Sequence, residues 1–187
     1  MTKPADELAV SEFAPSTLEQ VIALRPFTVR RVARWADCDP AGVVYSGNFT
    51  EYLLSAAHLF RRYLFGADWE RIRNNLGVDT PAKAVSMVFE GSLWPDNVFD
   101  VRLYVGAIRT RTADLIARAV HADTGLNVSD GRVSFICVTS RDRRVAAEIP
   151  DTLRPCSTTI AQIARRPRLF WKGFGDAWMG KVTHDRS

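Results

Sequence analysis

Two carboxylates stand close together in the segment RWADCDPAGVVYSGNF, which runs from residue 34 to residue 49. Asp37 and Asp39 are separated by one residue, and Pro40 and Gly42 then interrupt regular structure. A carboxylate held in a loop can act as a nucleophile or as a general base for water. Asp–Pro sequences also begin many ordinary turns, so the spacing alone leaves a structural role open.

The other reactive side chains do not form a recognisable pattern. The neighbouring acids should disfavour the thiolate of Cys38, so we do not expect it to be a nucleophile. No CxxC pair exists, so we predict neither a metal site nor a disulfide framework from the three cysteines, Cys38, Cys137 and Cys156. The three histidines are equally scattered: His58, His121 and His184.

Composition places the chain among globular proteins. Its 187 residues, 47% hydrophobic and 25% charged, are enough for one domain with a real core. No stretch approaches the roughly 20 apolar residues that span a bilayer, and the N-terminus lacks a signal-peptide pattern. We therefore predict a cytoplasmic protein without a membrane span. The net charge of +4 arises from an excess of basic residues in the C-terminal segment.

A strand, a loop and a long helix are predicted around the acidic pair. Alternating β-branched and aromatic residues predict a strand over Phe27–Ala36. Asn48 is suited to cap a helix N-terminus, and apolar residues at helical spacing predict a helix that ends before Gly66. A shorter amphipathic helix is predicted over Asp68–Leu76.

From residue 80 onward the pattern changes to strands joined by short breaks. The predicted strands are AKAVSMVFEGSL, NVFDVRLYVGAIR, TADLIARAVHA and GRVSFICVTSR. The segment DTGLNVSDG is predicted to be one of the breaks. Successive strands with short connections are typical of an antiparallel meander. The sequence thus predicts an α+β fold with a long helix packed against a curved antiparallel sheet.

Segments before and after this domain are predicted to be separate. We predict an N-terminal arm over residues 1–25, with a short helix around Ser16–Ala23, and a domain over residues 26–150. A basic, aromatic extension follows over residues 151–187. Its alternating basic and aromatic residues would suit nucleic acid or an acidic membrane surface. Its many large apolar side chains favour docking on the core or on a neighbouring subunit, so no nucleic-acid partner is expected.

The order of elements and the segment DCDPAGVVYSGNF resemble the hotdog-fold acyl-CoA thioesterases, above all the 4-hydroxybenzoyl-CoA thioesterase branch. In that family a strand leads into an Asp-x-Asp-x-x-Gly loop, and an Asn–aromatic pair opens the central helix. The matching residues are Asp37, Asp39, Gly42, Val43, Val44, Tyr45, Asn48 and Phe49. The resemblance covers about residues 27–150 and implies a hotdog fold over the predicted domain.

The resemblance also implies roles for individual residues. Asp39 would be the nucleophile or general base, and Asp37 would be structural. The backbone N–H near Ser46 would stabilise the oxyanion, as free N–H groups at a helix N-terminus can. No cofactor is implied, since coenzyme A is part of the substrate. Leu54 stands where many relatives carry an acid. A different hotdog branch has its catalytic glutamate on the central helix, so Glu51, the only acid on the predicted helix, is a backup candidate; a solvated charge on the helix face is the alternative.

Substrate contacts follow partly from the resemblance. Arg109 and Arg111 stand where the family has a basic cluster, which implies binding of CoA phosphates; a solvated charged turn is the alternative. Thr80 resembles a threonine that borders the site. Three aromatic residues are candidates for lining an aromatic or medium-length acyl pocket, although such side chains often belong to the core: Tyr45, Phe49 and Tyr52.

Three alternatives to a simple acyl-CoA thioesterase remain open at this point. The acyl group could be held by an acyl carrier protein, which the basic C-terminal segment would suit. The fold could also be a non-catalytic module that binds acyl-CoA, although an intact Asp39 argues against it. Nucleic-acid binding through the C-terminal segment alone is the third. Because hotdog subunits pair so that their sheets join, we expect a homodimer or homotetramer.

Overall fold

A long helix lies against one face of a six-stranded antiparallel sheet in the computed structural model, which describes residues 18–66 and 68–154. The helices are α1 (Asn48–Phe65) and α2 (Trp69–Asn75). The strands are β1 (Glu19–Leu24), β2 (Phe27–Val32), β3 (Val78–Asp79), β4 (Ala82–Phe89), β5 (Val98–Ile108), β6 (Thr112–His121), β7 (Asn127–Ile136) and β8 (Val138–Thr139). Two 3-10 turns, at Trp35–Asp37 and Asp151–Leu153, complete the described elements.

Helix α1 forms because its apolar residues share one face. Phe49, Leu53, Ala56, Ala57 and Phe60 recur at helical spacing and are all buried against the sheet. The two alanines have no side chain beyond Cβ, so the helix can approach the strands closely. Burial of this face, at about 25 cal/mol per Å² of apolar surface, is the main force holding the helix to the sheet.

The strand order is β1-β2-β5-β6-β7-β4, with every neighbouring pair antiparallel. Strands β5, β6 and β7 form the predicted meander. Strand β4 differs from a simple meander, since it pairs with β7 at the edge of the sheet instead of with β5. The register is supported by ion pairs between directly opposed residues, Arg30 with Asp100 and Arg118 with Asp130, each at 2.8 Å.

Three predicted elements differ from the structure. The segment Glu19–Leu24 is strand β1, so the short helix predicted around Ser16–Ala23 is wrong there; its β-branched residues gain a partner in β2. The strand predicted over Phe27–Ala36 ends at Val32. Strand β7 begins at Asn127, within a predicted break, because the polar Asp130 is held by an arginine on β6.

Residues 1–17, 67 and 155–187 lie outside the described residues. The predictions for most of the C-terminal extension, including Cys156 and His184, therefore stay predictions, as does its suitability for an acyl carrier protein. Within the described residues, no helix is long and apolar enough to cross a membrane. In the same part of the chain, no cluster of three or more His, Cys, Asp or Glu residues could hold a metal ion.

Candidate active site

The loop after β2 is closed by its own backbone. An isolated β-bridge joins Cys38 to Val44, and the N–H of Asp39 donates to the carbonyl of Val43 at 2.9 Å. The N–H of Gly42 donates to the carbonyl of Asp39 at 2.9 Å. Gly42 has a φ of +81°, a conformation that residues with a Cβ rarely adopt. This turn returns the chain towards the start of α1.

The Asp39 side chain is half-buried and only lightly engaged. Its Oδ1 accepts one hydrogen bond, from the backbone N–H of Ala41 at 2.9 Å. No ion pair to Asp39 is found in residues 18–66 and 68–154. One hydrogen bond leaves most of the acceptor capacity of a carboxylate unused. Asp39 is therefore able to attack a carbon atom or to take a proton from water.

Asp37 has the opposite environment. Its carboxylate is buried and accepts from both Nη2 (2.6 Å) and Nε (3.1 Å) of Arg34, as well as from the Arg34 backbone N–H (3.2 Å). The Arg34 guanidinium is the main cause that holds the pKa of Asp37 below its ordinary value. A carboxylate that is this fully engaged is a poor base. The prediction of a structural role for Asp37 agrees with this geometry.

The backbone before α1 supplies two available donors. The N–H groups of Asn48, Phe49 and Thr50 donate to carbonyls three residues earlier, so the first turn is tight. The N–H of Tyr45 donates to the carbonyl of Asp37 at 2.9 Å. No hydrogen bond from the N–H of Ser46 or Gly47 is found within the described residues. These two groups lie at the positive end of the α1 dipole, where an anion is stabilised.

Asn48 does not cap the helix as predicted. The N-cap residue is Gly47, and Asn48 is the first residue of α1. The Nδ2 group of Asn48 instead donates to the carbonyl of Asp37 at 2.7 Å. The side chain thus ties the start of the helix to the acidic loop, a contact that local propensity does not reveal.

The thiol between the two acids is not activated. Partial burial, followed by the charges of Asp37 and Asp39, raises the pKa of Cys38. The thiolate is therefore disfavoured at neutral pH, as predicted from the neighbouring acids. Glu51, the backup candidate, and His58, also on α1, both have exposed side chains.

The three aromatic candidates for the acyl pocket do not share one environment. Tyr45 is exposed, and its ring lies so close to Gly47 that an added Cβ there would be 2.4 Å from its Cε1 atom. Phe49 and Tyr52 are buried in the core, with their ring centroids 5.8 Å apart. Burial, and then the Asp37 carboxylate, raises the pKa of the Tyr52 hydroxyl, which has no hydrogen bond of good geometry among the residues that the structure describes. Of the three rings, only that of Tyr45 is exposed in this part of the chain.

The residues predicted to bind coenzyme A lie far from Asp39 in the same chain. Arg109 and Arg111 flank the exposed turn between β5 and β6, and Arg109 pairs with Asp114 at 3.0 Å. Thr80 precedes β4 and lies near the end of β5. The Asp39 loop meets the other end of β5, a strand of 11 residues, about 35 Å long at roughly 3.3 Å per residue. One chain therefore does not bring the two groups together.

Sequence reasoning missed two contributors to the site. Arg34, three residues before Asp37, forms an ion pair with Asp37 and leaves Asp39 without one in the described part of the chain. The spacing of three residues between an arginine and an aspartate is the sequence signal that could have indicated this pair. The carbonyl of Leu93 accepts a hydrogen bond from the N–H of Val44 at 2.9 Å, which attaches the loop to the segment between β4 and β5. Leu93 is distant in sequence, and no local pattern indicates this contact.

Residues 33–155 match the family model described as the thioesterase-like superfamily. The chain belongs to this superfamily. The match covers the acidic loop, both helices and strands β3 to β8, so the predicted thioester hydrolase is confirmed at the level of the superfamily. No curated protein matches the chain at a significant level.

Solved structures share the fold at low sequence identity. A 1,4-dihydroxy-2-naphthoyl-CoA thioesterase from Synechocystis is 20% identical, with a TM-score of 0.62, and the match covers 75% of this chain and 98% of that one. A Staphylococcus aureus protein in complex with CoA is 18% identical, with a TM-score of 0.64 and coverage of 84% and 93%. A 4-hydroxybenzoyl-CoA thioesterase variant with bound 4-hydroxybenzoyl-CoA is 18% identical, with a TM-score of 0.62 and coverage of 75% and 99%. The predicted hotdog fold is confirmed.

Proposed function

We propose that this protein is an acyl-CoA thioesterase that releases coenzyme A and a free aromatic or medium-length acid. One observation carries the proposal. The carboxylate of Asp39 accepts a single hydrogen bond, and the N–H groups of Ser46 and Gly47 at the start of α1 donate none within the described residues. A thioester carbonyl needs both parts: a group that adds to carbon or activates water, and donors for the oxygen that becomes negative. CoA-bound and acyl-CoA-bound proteins among the similar structures support the substrate class.

Two routes use the same atoms. In the first, an Asp39 oxygen attacks the carbonyl carbon, the C–S bond breaks and the CoA thiolate leaves; water then hydrolyses the mixed anhydride. In the second, Asp39 takes a proton from water and the resulting hydroxide attacks the carbonyl carbon; the C–S bond then breaks, and the CoA thiolate leaves and takes up the proton from Asp39. In both, the N–H of Ser46, with that of Gly47 beside it, would stabilise the oxyanion. The Arg34–Asp37 pair would keep this loop in place without taking part in proton transfer.

The proposed active site would be completed by a second copy of the chain. Strand β4 is an edge strand whose exposed side chains include Val85, Val88 and Phe89. At its end, Phe89 packs against Phe49 in the first turn of α1, with ring centroids 5.3 Å apart. If two copies paired antiparallel along β4, the Thr80 end of one would lie beside the α1 N-terminus of the other. A homodimer would thus bring together groups that one chain keeps apart.

Within this arrangement, the predicted substrate residues would have different roles. Tyr45 would contact the acyl group directly, while Phe49 and Tyr52 would support the pocket from the core. Arg111, which makes no ion pair within the described residues, would bind a CoA phosphate. Arg109 would do so less strongly, because Asp114 already engages its guanidinium.

Release of free CoA thiol by wild type and Asp39→Asn tests the proposal. The substrates are benzoyl-CoA, hydroxyphenylacetyl-CoA and straight-chain acyl-CoA. Asparagine keeps the shape of aspartate but is neither a nucleophile nor a base, so we expect the rate to fall at least about 100-fold. Glu51→Gln, an exposed acid on the first turn of α1, is the matched control and should change the rate less than about twofold.

The outcomes separate the main alternatives. Turnover that survives in Asp39→Asn but is lost in Glu51→Gln would assign catalysis to the helix acid. No turnover by wild type on any substrate would reject the proposed activity for these acyl groups and favour a binding module.

A further inference from the structure

A cavity lies at the opposite end of α1 from Asp39. It is open and almost entirely apolar, as the lining of small-molecule sites commonly is. Its walls come from the last turns of α1, from α2, from β5 to β7 and from the Asp151–Leu153 turn; they include Phe60, Leu64, Trp69, Ile108, Phe135 and Leu153.

The apolar wall contains one arginine, Arg61, that has no carboxylate partner among the described residues. The Nε of Arg61 is buried and has no hydrogen-bond partner, and no ion pair to Arg61 is found in residues 18–66 and 68–154. The guanidinium lies over the ring of Phe135, 5.0 Å from its centroid. Stacking uses the face of the guanidinium and leaves its in-plane N–H groups available. Because Nε is shielded from solvent, an anion would reach the terminal N–H groups of the guanidinium, for which no hydrogen bond is found in the described residues.

The charges around Arg61 also favour an anion. Burial, and then the nearby charge of Arg73, lowers the pKa of Arg61. Arg73 pairs with Asp79 at 3.1 Å, but Arg143 shares the same carboxylate at 2.9 Å. Among the described residues of the cavity wall, the one carboxylate is that of Asp114, which accepts from Arg109 at 3.0 Å and from Ser134 at 2.7 Å. The local acids are therefore already engaged by other groups.

We propose that this cavity binds an apolar carboxylic acid, with the hydrocarbon tail against the apolar wall and the carboxylate on Arg61. A single guanidinium matches one carboxylate in a two-pronged hydrogen bond. A phosphate head group, with more charge and more acceptor oxygens, would call for several cations around one point. Within one chain the site lies at the opposite end of α1 from Asp39, although Thr80, a predicted substrate residue, is part of its wall. Binding of a carboxylic acid there does not require the proposed thioesterase activity.

Calorimetric titration of the full-length protein with sodium decanoate, without any thioester present, tests the proposal. Wild type should bind one decanoate per chain. Arg61→Gln should weaken binding about 10- to 100-fold, as expected for loss of a hydrogen bond to a charged group. Arg62→Gln removes an exposed arginine next to it on α1 and should leave affinity unchanged. Decanol should bind wild type about as weakly as decanoate binds Arg61→Gln.

A second variant keeps the charge and fills the space. Ala113→Leu adds bulk to the cavity wall and should also weaken decanoate binding, even if Arg61→Gln fails to fold. The proposal is overturned if wild type does not bind decanoate, if decanol binds as tightly as decanoate, or if folded Arg61→Gln binds as wild type does. Loss of thiol release with decanoate binding intact would reject only the proposed activity.

Discussion

Replacing Asp37 with asparagine tests whether a buried ion pair holds the loop that carries Asp39. The change removes a carboxylate that is 7% exposed and that accepts three hydrogen bonds from Arg34. Hydrogen bonds to charged groups contribute about 1.5–3 kcal/mol. Because Arg34 is 46% exposed, water weakens the pair and can solvate the arginine left behind. We therefore expect the free energy of unfolding to fall by about 1.5–2 kcal/mol, towards the lower end of that range.

Urea unfolding at fixed protein concentration measures this loss, which corresponds to a midpoint shift on the order of 1 M. Asp68→Asn is the matched control, since Asp68 also pairs with an arginine three residues away, Arg71, but both side chains are exposed. Its effect should be at most about 0.5 kcal/mol. Equal losses in the two variants would refute the argument that burial makes the Asp37 pair stronger.

The pH dependence provides a second check on the same pair. Arg34 lowers the pKa of Asp37 from its ordinary value of 3.8 in the folded chain. A lowered carboxyl pKa contributes stability that is complete above the unfolded value and is lost as the pH falls through the folded value. The difference in unfolding free energy between wild type and Asp37→Asn should therefore be constant above about pH 5 and shrink below about pH 4. A difference that stays constant down to pH 3 would show that the charge is not its cause.

Two further predictions concern the pocket and the assembly. Gly47→Ala would place a Cβ 2.4 Å from the Tyr45 ring, which must retreat by about 1 Å; since the φ of Gly47 is −61°, alanine fits the backbone. We expect kcat/KM for benzoyl-CoA to fall about 10- to 100-fold. The unfolding free energy, measured in urea, should change by less than about 1 kcal/mol. An unchanged kcat/KM would show that Tyr45 does not contact the acyl group. If the proposed dimer pairs along β4, Val85→Lys places a charge on that edge and should give a monomer by light scattering, with loss of activity. Val21→Lys, on the β1 edge, is its control, and a monomer from that variant alone would assign the interface to β1.

Local signals in the sequence predicted the parts of the site that local contacts build. The turn at Gly42 and the bond from the Ala41 N–H to Asp39 each involve residues two or three positions apart, so they can be read from short motifs. The periodicity of α1 likewise comes from one helix face. Predictions failed where a partner outside the segment sets its structure: β1 is a strand because it forms a hairpin with β2, and Asn48 bonds to Asp37 instead of capping.

The sequence by itself determined the family motif, the order of most elements and the identity of the two acids. Only the tertiary structure tied the start of α1 to the acidic loop, because the Asn48 side chain donates to the carbonyl of Asp37. It also buried Phe49 and Tyr52 in the core and set Arg109 and Arg111 at the far end of β5 from Asp39. Burial and the separation between sites are set by how the sheet folds against the helix, and no short stretch of sequence carries that information.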